Sequence, residues 1–113
     1  MKKTKMIKRR YEFSRLYSKG KFYFSNQLTM YLLKNNKEFN KLGIAVGRKN
    51  GKAVYRNRIK RLIKENYKNF ELQIKVGYNI LISVNKKCDI KNIDFYEVEK
   101  SFQELLKKSE LFI

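Results

Sequence analysis

Apolar side chains recur along this chain first with a helical period and then with a period of two. Between Tyr11 and Lys19, Phe13, Leu16 and Tyr17 fall at i, i+3 and i+4, which predicts a short helix with one apolar face, and Gly20 stands as its stop. Phe22–Ser25 reads as a short extended piece. Gln27–Asn35 is a clearer strand, with Leu28, Met30 and Leu32 pointing one way and Thr29, Tyr31 and Leu33 the other. Asn35-Asn36-Lys37 marks a turn. From Lys41 to Gly47 the alternation is strict: Leu42, Ile44 and Val46 oppose Gly43, Ala45 and Gly47. The small residues leave that second face shallow, which suits the close approach of a ligand backbone, close helix packing or a bulge.

Helical spacing returns at about Val54, where Tyr55, Ile59, Leu62, Ile63, Asn66 and Phe70 share one stripe. Val76–Val84 is a strand with Ile80, Ile82 and Val84 inward. Asp94 followed by Glu97 three residues later reads as a capping box, opening a helix to about Lys108 with Val98, Phe102, Leu105 and Leu106 on its core face. No proline, repeat or linker interrupts the chain, so residues 1–113 are expected to form a single domain. The order α-β-β-β-α-β-α predicts a two-layer α+β fold. Residues 1–10 carry six basic side chains and little apolar periodicity, which predicts a mobile basic arm that orders on RNA.

Charge narrows the class of partner. Against 28 lysines and arginines stand 10 acidic residues, for a net charge of +18. A small domain with that excess makes nucleic acid the leading partner and a membrane surface the second. Lysine richness also arises from compositional drift, so the placement of the charge carries more than its sum. A hydrophobic fraction of 42% argues against disorder. No apolar stretch is long enough to span a bilayer or serve as a signal peptide, so a cytoplasmic protein with no membrane partner is expected. Cys88, the single cysteine, has no internal disulfide partner and reads as an incidental loop residue rather than a reactive thiol.

The placement is concentrated between residues 48 and 64. Arg48, Lys49, Lys52, Arg56, Arg58, Lys60, Arg61 and Lys64 lie there with no acidic residue, and four of the seven arginines fall in this stretch. On the predicted helix, Asn57, Arg58, Lys60, Arg61, Lys64 and Lys68 occupy the arc opposite the apolar stripe. Arg56 falls near the apolar edge but can swing across the helix N-terminus, where free backbone N–H groups also attract an anion. A solvated face on an ordinary amphipathic helix is the plain alternative. Against it stand the absence of acids and the concentration of arginine, whose planar fork suits bidentate phosphate contacts.

The run Gly51-Lys52-Ala53-Val54-Tyr55-Arg56-Asn57-Arg58-Ile59-Lys60-Arg61-Leu62-Ile63-Lys64-Glu65, with Gly47 before it, resembles the Arg-Asn-Arg signature of the protein component of bacterial ribonuclease P. The similarity extends over nearly the whole chain. It implies a mixed central sheet with a left-handed crossover at the basic helix, a hand that general rules of chain connection would not predict. It implies that Arg56, Asn57, Arg58, Lys60, Arg61 and Lys64 contact the catalytic RNA, and Arg48, Lys49 and Lys52 of the same stretch are expected to join them. Phe13, Tyr17 and Tyr31 match aromatic positions of a cleft that receives the single-stranded 5′ leader of precursor tRNA. Tyrosine at 55 and lysine at 64, where arginine is common, depart from the family pattern. Lys64 gives up the fork geometry.

The resemblance also implies that an RNA performs the metal-dependent hydrolysis. The chain has no histidine, one loop cysteine and no spacing typical of a zinc site. Glu97 and Glu104, seven apart, read as a solvated helix surface. The expectation is therefore an accessory subunit of a ribonucleoprotein endonuclease, a tRNA-processing hydrolase, with no catalytic residue or metal ligand on the protein. Mg2+ is expected to serve the RNA, and the partners are ribonuclease P RNA and precursor tRNA, with no obligate protein partner. Composition alone also fits a ribosomal assembly protein or a polycation that coats DNA or lipid. The signature favours the first over the ribosomal reading, and the pairing of a basic helix with clustered aromatics counts against the polycation.

Overall fold

The computed structural model describes all of residues 1–113. In chain order its elements are β1 (Thr4–Met6), α1 (Arg10–Lys19), β2 (Lys21–Phe24), β3 (Leu28–Lys34), β4 (Asn40–Ala45), α2 (Ala53–Phe70), β5 (Tyr78–Val84) and α3 (Phe95–Lys108). The five strands form one mixed sheet in the order β1-β4-β5-β3-β2. β3 runs antiparallel to β2 and β5, whereas β4 runs parallel to β1 and β5. A parallel neighbour cannot be reached by a tight hairpin, so the chain passes from β4 to β5 through the long basic helix α2.

The alternation read from the sequence sorts side chains onto the two faces of this sheet. Leu28, Met30, Leu32, Leu42, Ile80, Ile82 and Val84 point to one face, where α2 supplies Ile59, Ile63 and Tyr67 and α3 supplies Val98, Phe102, Leu105 and Leu106. Asp94 caps α3 as expected, its carboxylate accepting the Glu97 N–H at 2.8 Å. On the opposite face Leu81 packs with Ile7 and with Leu16 of α1. The first helix thus adds a partial third layer to the two-layer arrangement that the element order predicts.

Two glycines allow this layer to sit close. A Cβ on Gly43 would lie 2.7 Å from Cε1 of Phe13, so the shallow face of β4 serves close helix packing. Gly20 ends α1 with φ −71°, not in the left-handed conformation common at helix ends. Its role is steric, because a Cβ there would collide with the Leu16 carbonyl oxygen.

The largest departure from expectation is at the N-terminus. Residues 1–10, read as a mobile arm, contain the edge strand β1, paired in register with Asn40–Leu42. The backbone N–H groups of Lys2 and Lys3 donate to the Glu71 carboxylate at 2.9 and 3.2 Å, and the Ile7 N–H donates to the Leu42 carbonyl at 2.8 Å. The Thr4 and Tyr67 hydroxyls lie 2.8 Å apart. Asn40, itself buried, donates to the Tyr67 hydroxyl and the Lys75 carbonyl and accepts the Tyr78 N–H. Burial alone would raise the Glu71 carboxyl. Hydrogen bonds from the Thr4 side chain and from the Lys2 and Lys3 N–H groups instead hold it below its ordinary value. The lysine side chains of the segment stay exposed while Thr4 and Ile7 go inward, so charge masks the strand in the sequence.

Cys88 lies buried against the main core. Burial first, then the nearby Asp89 and Glu97 charges, push its thiol up to about 11. At pH 8 only about one thiol in a thousand is then ionised. In native protein Cys88 should resist alkylation by iodoacetamide at that pH and react at the rate of an ordinary thiol in denaturant. Equal rates in the two states would place the thiol at the surface.

Candidate nucleic-acid interface

The basic stretch is held at both ends. Arg48–Asn50 form a 3-10 turn, which the Asn50 side chain ties to the sheet by donating to the Asn85 carbonyl at 2.9 Å. Gly51, at φ 149°, then turns the chain against Ile90 and into α2, a conformation that any Cβ would strain. No side chain caps the N-terminus of α2, and its first turn contains no acidic residue, so nothing local offsets the positive end of the helix dipole.

Packing of Ile59, Ile63, Asn66 and Tyr67 against the core fixes which face of α2 looks outward. Arg48, Lys49, Lys52, Asn57, Lys60 and Arg61 are exposed, and Arg56, Arg58 and Lys64 are half-buried. Arg56 folds back across the helix start, its Nε donating to the Gly51 carbonyl at 3.1 Å. One terminal nitrogen of Arg58 is shielded from solvent and has no acceptor within the chain. The two ion pairs of the protein, Lys41–Glu12 and Lys108–Glu104, lie outside this stretch. None of its cations is neutralised by a carboxylate.

α1 crosses the opposite face of the sheet obliquely. Phe13 reaches Gly43 on β4, Leu16 sits with Leu81 of β5, and Tyr17 reaches Tyr31 on β3, their rings 5.0 Å apart and nearly perpendicular. Tyr17 and Tyr31 therefore meet as the sequence suggests. Phe13 is separate: half-buried, it packs on the small core and makes no ring contact with either tyrosine. A groove lined by Met6, Phe13, Gly43, Lys60, Arg61 and Lys64 joins this aromatic side to the basic helix.

Sequence reasoning misses Phe22 and Phe24. Phe22 pairs in register with Tyr31, their ring centroids 6.1 Å apart, and Phe24 lies 5.1 Å from Phe22. The signal that could have found them is the alternation in Lys21–Phe24, which sends Tyr23 toward the core and both phenylalanines to the α1 face.

The carboxylates are dispersed or engaged. Glu71 holds the N-terminal backbone, Asp94 caps α3, Asp89 accepts from Lys91 and Asn92, and Glu12 and Glu104 pair with lysines. No three metal-ligating side chains come together. No helix is long and apolar enough to cross a membrane.

The chain is similar in sequence and fold to known proteins. A family model for ribonuclease P matches residues 1–110. The chain is 37% identical over 112 residues to the ribonuclease P protein component of Clostridioides difficile strain 630, covering 98% of this chain and 96% of that protein. The solved structure of the Staphylococcus aureus RNase P protein superposes with a TM-score of 0.82 at 34% identity, covering 96% of this chain and 97% of that one. The RNase P protein of Thermotoga maritima gives 0.83 at 29% identity, over 92% of this chain and 96% of that one. With sequence and fold alike matching from β1 through α3, the chain belongs to the ribonuclease P protein family.

Proposed function

We propose that this chain acts as the protein subunit of ribonuclease P in the cytoplasm, binding the catalytic RNA through the basic stretch and the 5′ leader of precursor tRNA through the aromatic face. The observation that carries this reading is the groove where Lys60, Arg61 and Lys64 meet Phe13. Phosphates and unpaired bases can be held there side by side. Arg56, Arg58 and Arg61 present forked donors to phosphate. Arg48, Lys49, Lys52, Asn57, Lys60 and Lys64 extend the same surface along the RNA backbone. Tyr17 and Tyr31 offer ring surface to leader bases, which needs no particular base sequence.

Hydrolysis of the phosphodiester bond is assigned to the RNA. The magnesium that the reaction uses is assigned to the RNA with it, whose phosphate oxygens are the hard ligands that ion takes. The protein contributes by screening repulsion between two polyanions and by positioning the leader.

The test is affinity of the reconstituted holoenzyme for precursor and mature tRNA. Tyr31→Ala should weaken precursor binding by about 1–3 kcal/mol, the contribution of one stacked base, and leave mature tRNA unaffected. Equal losses for both ligands, or none for either, would remove Tyr31 from the leader site.

A further inference from the structure

Beyond the cleft aromatics, the α1 face carries two phenyl rings that no packing requirement explains. β2 is an edge strand, paired on one side with β3 and unpaired on the other. Phe22 and Phe24 are 53% and 57% exposed there, although an open edge is ordinarily protected by charge, a bulge or a covering element. Successive centroid distances of 5.0, 6.1 and 5.1 Å join Tyr17, Tyr31, Phe22 and Phe24 into one continuous row. It runs from α1 to the sheet edge farthest from β1.

Charge decides what covers the end of this row. No acidic residue occurs between Glu12 and Glu38, while Arg15, Lys19, Lys21, Lys34 and Lys37 do. The Lys108 ammonium donates to the Phe24 carbonyl at 2.6 Å, and Glu104 beside it is already paired with that lysine at 3.4 Å. Two copies meeting edge to edge would bring together chains of +18 each, which disfavours a dimer. Exposed rings on a strand without acids, whose neighbouring Glu104 is already paired with Lys108, suit unpaired bases on a phosphate backbone.

We propose that Phe22 and Phe24 extend the single-strand site, stacking about two leader bases beyond those at Tyr17 and Tyr31, so that this protein favours precursors with longer leaders. The inference rests on the leader-binding reading above. The groove that joins Lys60, Arg61 and Lys64 to Phe13 lies at β4, and β2 is the sheet edge beyond β5 and β3 from it, so a leader that starts in the groove reaches Phe22 and Phe24 with its more distal nucleotides.

The experiment uses the reconstituted holoenzyme and precursor tRNAs whose leaders lengthen one nucleotide at a time, with 2-aminopurine at successive leader positions. Wild-type affinity should keep rising after the Tyr31 position is filled, with fluorescence quenched at the distal positions. Phe22→Ala/Phe24→Ala should lose that added gain, at least about fivefold per ring, and its distal quenching, while shortest-leader affinity is retained. Phe24→Ala alone, which leaves Phe22 beside Tyr31, should lose the outermost step. Phe22→Tyr/Phe24→Tyr, which keeps both ring faces, should behave as wild type. An unchanged length dependence in both alanine variants, with Tyr31→Ala still impaired, would overturn the extension and leave the leader cleft standing. If Tyr31→Ala is unimpaired as well, the leader reading itself fails. A wild-type dimer in sedimentation that Phe24→Ala dissolves would assign the edge to a second copy and overturn the proposal.

Discussion

The double variant Arg58→Ala/Arg61→Ala should bind ribonuclease P RNA at least about a hundredfold more weakly, since a charge-assisted hydrogen bond contributes about 1.5–3 kcal/mol and two are removed. The plot of log affinity against log salt should flatten by about two units, one for each phosphate that no longer meets a cation. Neither residue belongs to the hydrophobic core and Arg61 is exposed, so the thermal midpoint should move little, with half-buried Arg58 responsible for most of any shift. Arg58→Lys keeps the charge and should recover the salt slope while recovering only part of the affinity, a split that separates fork geometry from simple charge. Unchanged affinity and slope in the double variant would take this face of α2 out of the interface.

Asn40→Leu should cost more stability than any change on the basic face. The side chain is almost isosteric with leucine, yet its loss leaves the buried Tyr67 hydroxyl and the part-buried Tyr78 N–H and Lys75 carbonyl short of a partner. Each such group costs about 1–3 kcal/mol, so a total of roughly 3–6 kcal/mol is expected once partial rescue by the Thr4 hydroxyl is allowed for. That is a large fraction of the roughly 5–15 kcal/mol that holds a small domain folded. Urea unfolding followed by far-ultraviolet circular dichroism would read it as a lower midpoint at constant slope. A shift below about 1 kcal/mol would mean that the interior rearranges or admits water there. Tyr67→Phe removes one hydroxyl, and its smaller loss should be partly contained within that of Asn40→Leu, because the two share a hydrogen bond.

The elements that could be read from the chain were those whose information is local. Strict alternation in β3 and β4, the apolar stripe of α2 and the Asp94 cap each involve residues no more than one or two turns apart, and each is in place. Tyr67 fell off the stripe assigned to α2 but is fully buried, because Thr4 and Asn40 satisfy its hydroxyl. Those partners lie 63 and 27 residues away. The hydrogen bonds from Lys2 and Lys3 to Glu71 span 69 and 68 residues. No periodicity announces a polar pairing over such distances, and the lysines of β1 give that segment the look of a solvated tail. At the interface the row of cations was legible because helical spacing is regular. Phe13 was grouped with Tyr17 by the same regularity, but the oblique path of α1 delivers the two rings to different strands. The alternation of Lys21–Phe24 puts Phe22 and Phe24 on one face, but their meeting with Tyr31 depends on the register of β2 on β3, which a short extended run does not define.

The anchoring of β1 also sets an order of events during synthesis. Lys2 and Lys3 are made almost seventy residues before their carboxylate partner, which comes at the end of the helix that presents the arginines. β4, which β1 must flank, appears before α2 but gains its other neighbour only when β5 follows. Closing so wide a loop has to wait for both, and contacts of such long range form slowly. The nascent chain therefore carries the six basic side chains of residues 1–10 untethered until Glu71 has been added. A stall or truncation upstream of that glutamate releases a fragment whose basic N-terminus has nothing to close upon.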